Sequence, residues 1–272
     1  MAELRSEILK EIEQNSVDFA DVMTKLEQLH PSEALTINAQ VKLITELANC
    51  PKFKPQNSID AEQRLNGLLR YLPSENYIVR SLACSLMKIF CDFLDVSGQH
   101  IATQVMISCK NLLTIITKTE DKSNYGLTIC QSIALSSMCS IATEWSCKLA
   151  QLNQWFPLAL LSLNTVFGVL LNNKMHSFIQ QVAAEGLKRT LNIPNFWSSL
   201  TNTERIDTLS HIKQLFDIWI SKRDAFILIK LLQTAANKAV AWSACQSRYL
   251  KYFLQVCVKC LPEMKESELG MI

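Results

Sequence analysis

The sequence contains little glycine and little proline, with only 6 Gly and 7 Pro among 272 residues. These residues supply most of the tight turns that join short strands, so their scarcity argues against a many-stranded β fold. Hydrophobic residues make up 49% of the chain, which is enough to bury an extensive core and is untypical of a disordered chain. The composition predicts a folded, helical protein.

The common motifs of enzyme and metal sites are also absent. The chain has no Gly-rich phosphate loop, no Gly-x-Ser-x-Gly and no His-Glu-x-x-His. None of its four histidines lies beside a Cys or carboxylate in a spacing typical of a metal site, so we interpret them as surface or cap residues. Cys257-x-x-Cys260 lacks the second pair that zinc would need, and we interpret it as helix packing. We therefore expect no catalysis, no cofactor and no metal.

The sequence lacks the marks of secretion. Its first residues alternate in charge without an apolar run, so we expect no signal peptide, and no Asn-x-Ser/Thr sequon occurs. Ten cysteines are present, but several, such as Cys84 and Cys130, lie among Ala, Leu and Ile at helical spacing. A free thiol in that setting acts as a small apolar filler. We predict reduced cysteines and an intracellular protein, nuclear or cytoplasmic.

Two long stretches lack charge and need to be weighed as membrane spans. They are residues 123–143 and 149–173. Polar side chains interrupt both, and Pro157 fits the start of a helix better than its middle. We interpret both stretches as buried helices and expect no membrane span.

The apolar residues follow a repeated helical pattern. Between residues 71 and 90 a helix ends, a polar turn follows, and a second helix carries apolar residues at intervals of three and four. Similar second helices have Ala83, Ala134 and Ala184 at their centres, 51 and 50 residues apart. The pattern predicts three helix pairs: 60–72 with 77–95, 99–117 with 126–144, and 157–171 with 177–191.

The unit at residues 71–90 resembles a HEAT repeat. Its second helix opens with Val79-Arg80 and continues with the apolar-Ala pair Leu82-Ala83. The chain is similar to the HEAT and armadillo group over residues 60–192, although its spacing of 51 and 50 residues exceeds the roughly 40 to 47 residues of those repeats. The resemblance implies an all-α solenoid of antiparallel helix pairs, stacked to leave an extended curved surface.

The flanking segments extend this organisation. We predict an N-terminal helical segment over residues 1–50, a linker at 51–58, a helical-repeat array over 59–262 and a flexible tail at 263–272. Thr201 and Glu204 have the spacing of a capping box at the start of a helix. The prolines in the linker suggest that it separates the N-terminal segment from the array.

The resemblance also implies where a partner would bind. If the pairs stack as HEAT repeats do, polar residues of the second helices line the concave face and form a partly cationic groove. The candidate residues are Ser81, Ser85, Lys88, Gln181, Glu185, Lys188 and Arg189. We expect a non-catalytic scaffold or adaptor subunit that binds a protein or peptide partner, and the cations of the groove favour an acidic one.

Nucleic-acid binding is the alternative. From residue 146 onward fourteen basic residues face eight acidic ones, whereas residues 1–30 carry seven acidic and three basic residues. Five tryptophans could pack in the core or stack on bases: Trp145, Trp155, Trp197, Trp219 and Trp242. An enzyme like the HEAT-like alkylpurine DNA glycosylases would need a carboxylate in an aromatic cleft, and the sequence places none.

Overall fold

The protein is helical throughout its described part. Every regular element there is a helix and none is a strand, so the all-α prediction is confirmed. The computed structural model describes residues 10, 19–27, 37–114, 125–149, 156–245 and 249–260. The α-helices in these ranges are α1 (Phe19–Glu27), α2 (Ile37–Ala48), α3 (Ser58–Leu69), α4 (Tyr77–Cys91), α5 (Gln99–Leu113), α6 (Tyr125–Lys148), α7 (Phe156–Leu171), α8 (Ser177–Leu191), α9 (Phe196–Ser199), α10 (Asn202–Lys222), α11 (Ala225–Cys245) and α12 (Tyr249–Cys260).

Some predictions fall outside these ranges. They are residues 1–9 and 11–18 of the predicted N-terminal helical segment, the core position of Trp155 and the tail at 263–272.

Local capping explains why the helix starts were well predicted. Asn76 precedes α4, and its side-chain oxygen accepts a hydrogen bond from the backbone N–H of Ile78 at 2.9 Å. Before α10, the backbone N–H of Glu204 donates to the Thr201 hydroxyl at 3.2 Å, and the Glu204 carboxylate accepts from the Thr201 N–H at 2.8 Å. The predicted capping box is therefore confirmed.

Helix ends were less well predicted. Helix α4 was expected to continue to Asp95 but ends at Cys91. Asp95 instead caps a 3-10 turn, Val96–Gly98, because its carboxylate accepts a hydrogen bond from the Ser97 N–H at 3.0 Å. The Asp95 side chain thus gives the Ser97 backbone N–H a hydrogen-bond partner outside the helical pattern, which favours a turn over a longer helix.

The chain forms two compact units, residues 1–144 and 145–272. In the first unit, α4 is the central helix and contacts α1, α2, α3 and α5, while α3 also contacts α5. Its predicted apolar stripe is buried, and the small side chain of Ala83 is completely enclosed. The predicted linker includes a 3-10 turn, Pro51–Phe53, in which Phe53 is buried, so this segment packs within the unit.

The second unit has two central helices, α8 and α11. They contact each other, α8 contacts α7, and α11 contacts both α10 and α12. Helix α7 also contacts α10. Ala184 is buried, as expected for a central alanine of a second helix, and Ala235 of α11 is buried as well.

From their spacing of three residues to the next apolar position we expected Val41 and Ile206 to be buried, but both are exposed. Val41 in α2 is 43% exposed, and Ile206 in α10 is 51% exposed. At 3.6 residues per turn, Val41 lies about a quarter of a turn and Ile206 about a third of a turn from the centre of the buried face of its helix. Three residues are less than one helical turn, so positions linked only by steps of three rotate progressively around the helix. A stripe extended in this way therefore leaves the buried face.

Only one helix in the described residues is long and apolar enough to be a candidate membrane span. It covers Gly126–Lys148, and 67% of its most apolar window is buried inside the structure. A mostly buried core helix of a soluble protein has the same length and composition. Helix α7 is apolar but shorter.

Candidate partner-binding surface

Helix α8 separates an apolar face from a polar one. Ile179, Ala183 and Leu187 are buried against the rest of the second unit. The predicted site residues Gln181, Glu185 and Lys188 are partly exposed and Arg189 is exposed, so all four lie at the solvent boundary of the helix. Their placement follows from the 3.6-residue period.

Two polar contacts align α8 with α11. The Lys230 ammonium lies 2.9 Å from a carboxylate oxygen of Glu185. The Lys188 ammonium donates to the Gln233 side-chain oxygen at 3.1 Å. Because the partners are 45 residues apart in both contacts, the two helices run side by side in the same direction.

Glu185 lies among three cations. Lys230 is its closest partner, and the Arg189 guanidinium lies 3.7 Å from its other oxygen. Burial alone would raise the pKa of Glu185, but the hydrogen bond from Lys230 and the charges of Lys230, Lys188 and Arg189 outweigh it and lower the pKa. The carboxylate therefore stays ionised at neutral pH.

The two helices together carry an excess of positive charge. Glu185 is the only acidic residue in α8 and α11, whereas four residues are basic: Lys188, Arg189, Lys230 and Lys238. Four cations and one carboxylate leave these two helices with a net charge of +3.

Sequence reasoning missed Lys230 and Gln233. A signal was present, because Lys230 interrupts the apolar run Ile227-Leu-Ile-Lys-Leu-Leu232. A lysine within such a run marks a position on the solvent side of an otherwise buried helix. Its partner on α8, however, depends on the register between helices, which the sequence does not encode locally.

The candidate residues in the first unit form a simpler arrangement. The Lys88 ammonium on α4 lies 3.9 Å from a Glu144 carboxylate oxygen on α6. Ser85 is half-buried. Ser81 does not face solvent as predicted: it is buried, and its hydroxyl donates to the Tyr77 carbonyl at 2.6 Å. Helices α1, α2, α3 and α5 pack against α4 and α6 also contacts it, so its buried face is wider than one apolar stripe.

Arg80 bonds back to the turn before its own helix, but through partners other than those we expected. From the sequence we expected it to bond to Glu75 or Asn76. Its guanidinium instead donates to the carbonyl of Ser74 and, at 3.3 Å, to that of Pro73. The same group lies 5.5 Å from the centre of the Tyr77 ring. Arg80 therefore ties the start of α4 to the turn before it.

The first unit also contains three neighbouring buried thiols. Cys84, Cys109 and Cys130 lie on α4, α5 and α6. A hydrogen bond with Cys109 and burial raise the pKa of Cys84 well above its ordinary value. Burial raises the pKa of Cys130 to about 11. Both thiols are protonated at neutral pH and therefore weak nucleophiles.

Two further features of the described residues bear on possible chemistry. Within the described ranges, no three His, Cys, Asp or Glu side chains are grouped so that they could hold a metal ion. Trp145 and Trp219 are buried, and each ring has a lysine ammonium nearby, that of Lys148 at 5.2 Å and that of Lys222 at 4.2 Å. Trp145 and Trp219 are therefore core residues, which agrees with core packing, one of the two interpretations of the tryptophans given above.

Comparisons of the chain with protein-family models, curated proteins and solved structures give no match.

Proposed function

We propose that the chain is a helical-repeat protein in which neighbouring pairs stack as in HEAT and armadillo arrays. The packing within each unit supports this arrangement. First helices of successive pairs meet at α3 with α5 and at α7 with α10, and second helices meet at α8 with α11. In the first unit the second helices α4 and α6 are joined by the ion pair of Lys88 and Glu144. Such stacking buries the faces that one pair cannot cover alone.

The second helices of the first unit also approach closely at their starts. A Cβ atom added at Gly126 on α6 would lie 2.9 Å from the Tyr77 ring on α4. Only glycine fits this contact without displacing the ring. The contact is what a stack of second helices needs, because small residues let the helix axes come together.

We propose that the protein is a non-catalytic scaffold or adaptor subunit that binds a protein or peptide partner. The main support is the polar surface of α8 and α11. Its side chains are held in place across two helices by the contacts of Lys230 with Glu185 and of Lys188 with Gln233. A surface fixed in this way loses less side-chain entropy when a partner binds.

Affinity capture with the full chain tests this function. The tagged chain would be incubated with cell extract, with and without nuclease, and captured proteins would be quantified and cross-linked for mass spectrometry. We expect a protein partner at near-stoichiometric amounts that survives nuclease treatment and cross-links to the chain. Capture of no reproducible partner under any condition would contradict the proposal.

Nucleic-acid binding is the second candidate, and the excess of four basic residues over one acidic residue on α8 and α11 favours it. The same capture experiment separates the two functions. If nucleic acid is retained, nuclease abolishes protein capture, and binding falls steeply with salt, the second candidate replaces the first.

A further inference from the structure

Two exposed aromatic side chains lie at the starts of the paired helices. Phe178 in the first turn of α8 is 48% exposed, and Phe226 in the first turn of α11 is 45% exposed. Neither is needed for the apolar core, which is formed by other residues of both helices, such as Ile179 and Ile227. Exposed aromatic residues near polar groups are typical anchors of protein interfaces.

The register between the helices places these aromatic residues in line with the charged cluster. Phe226 stands four residues before Lys230, one turn away on the same face, and the Lys230 ammonium lies 5.5 Å from the centre of its ring. Phe178 precedes Glu185 by seven residues, two turns on the same face. Since Glu185 contacts Lys230, both aromatic residues continue one surface toward the starts of the helices.

This surface has an apolar end and a cationic end. We call it the α8/α11 stripe, and it consists of Phe178, Glu185, Lys188, Arg189, Phe226 and Lys230. From Phe178 to Lys188 it extends ten residues along α8, about 15 Å at 1.5 Å per residue. A segment of three or four helical turns is long enough to cover it.

We propose that the α8/α11 stripe binds an amphipathic segment of the partner protein that presents large apolar side chains at one end and acidic side chains at the other. The inference rests on the proposed scaffold function. The apolar side chains would cover Phe178 and Phe226, and the acidic ones would meet Lys188 and Arg189. Charge complementarity selects an acidic partner and speeds its association, while the apolar contacts hold it.

The central carboxylate argues for a peptide against a nucleic acid on this stripe. Glu185 remains ionised, because the neighbouring cations lower its pKa. A continuous row of phosphates crossing the stripe would meet this negative charge. A peptide can place a neutral or apolar side chain over Glu185 and its carboxylates elsewhere.

A display selection with the full chain tests the inference. Random peptides of about 15 residues, long enough for about four helical turns, would be selected on the immobilised protein and their affinities measured by fluorescence anisotropy. We expect the enriched peptides to combine acidic residues with large apolar ones. Phe178→Ser with Phe226→Ser should weaken binding by about tenfold or more, as loss of interface anchors typically does.

Matched variants separate the stripe from general surface effects. Lys188→Glu with Arg189→Glu should weaken binding and slow association, whereas the control Lys251→Glu with Lys259→Glu on α12 should not. Ile206→Ser, which removes a comparably exposed apolar side chain on α10, is the control for the aromatic pair. Circular dichroism melting of each variant would show that it is folded.

Three outcomes would overturn the inference: no peptide is enriched, the enriched peptides are basic or lack apolar residues, or their binding is unaffected by the stripe variants. If a single-stranded oligonucleotide competes with the selected peptides and binds more tightly, the stripe binds nucleic acid instead. Failure of the selection together with a partner found by affinity capture would leave the scaffold function standing and place its site elsewhere.

Discussion

The Lys230 ammonium lies 2.9 Å from a carboxylate oxygen of Glu185, a contact that joins helices α11 and α8 across 45 residues of sequence. The two side chains are 22% and 34% exposed, so water still screens the pair. The contact therefore fixes the relative positions of two surface helices more than it stabilises the fold.

Removing this ion pair should change stability only slightly. We expect Glu185→Gln to lower the free energy of unfolding at neutral pH by about 1 kcal/mol or less, since partly exposed pairs contribute little. The pKa of Glu185 is lowered from its ordinary value of 4.5 by the neighbouring cations. The ionised Glu185 carboxylate should therefore stabilise the fold fully above pH 4.5, and this stabilisation should be lost as the pH falls through the lowered pKa.

Urea unfolding of wild type and Glu185→Gln over a range of pH would measure this effect. The two proteins should differ above pH 4.5, the ordinary pKa of the carboxyl, and converge in acid. A difference that grows as the pH falls would contradict the assignment of the shift to Lys230, Lys188 and Arg189.

The buried alanines of the second helices give a test of packing. Ala83 on α4 and Ala184 on α8 are 0% and 1% exposed. We expect Ala83→Leu and Ala184→Leu each to destabilise the protein by about 1 to 3 kcal/mol, because a larger side chain overpacks a close helix contact. Thermal melting would measure the loss, with Ala236→Leu at an exposed position of α11 as the control. Unchanged melting of both core variants would show that these helices do not meet at the alanines.

Helix caps and buried helix faces that depend on neighbouring residues alone could be predicted from the sequence. Asn76 and Thr201 cap the helices that follow them, and each cap needs only neighbouring backbone groups. The 3.6-residue period likewise placed the central alanines correctly. How far the buried face extends around each helix was not predictable, because it depends on the number of neighbouring helices. Ser81 is buried for that reason.

The candidate site was predicted in part. Glu185, Lys188 and Arg189 could be assigned to the solvent side of α8 from periodicity alone, and the structure places them there. Their contacts with Lys230 and Gln233 depend on the register between α8 and α11, which is set by packing over the whole interface. Long-range pairing of this kind has no signature in a single sequence.

Arg80 gives a prediction about the turn before α4. Its guanidinium donates to the carbonyls of Ser74 and Pro73, and its removal would leave the turn without these charge-assisted hydrogen bonds. We expect Arg80→Ala to destabilise the protein by about 1 to 3 kcal/mol. Urea unfolding would measure this. Partner capture by the folded variant should be nearly unchanged, and a variant that loses capture while keeping its stability would indicate a direct contact with the partner.

The cysteines should differ strongly in reactivity. Cys147 is exposed, whereas Cys84 and Cys130 are buried and have raised pKa values. In native protein near neutral pH, a maleimide should label Cys147 first and leave the other two unmodified, because the reactive species is the thiolate. Mass spectrometry of digested samples would locate the label, and Cys147→Ser is the control.

Titration of denatured, non-reduced protein should find nearly all thiols free, since no disulfide joins the nine cysteines whose side chains the structure describes. Stoichiometric zinc in the purified protein would contradict the prediction and direct attention back to Cys257 and Cys260.

The last prediction concerns partner capture by the candidate cations. Lys88 belongs to the first unit and Lys188 and Arg189 to the second, and each unit presents its cations beside a carboxylate, Glu144 or Glu185. We expect reversal of all three charges to abolish capture, because an acidic partner would then meet like charges. Melting should shift by only a few degrees, since these pairs are partly exposed.

Variants with charge reversals in only one unit show which cations are required for partner capture. If the α8/α11 stripe is the partner site, Lys188→Glu with Arg189→Glu should remove most of the capture, and Lys88→Glu alone should remove little. Equal losses from the two variants would indicate a partner that contacts both units. Full capture by the triple variant would show that the partner binds away from these cations, for which the acidic residues 1–30 are the next region to test.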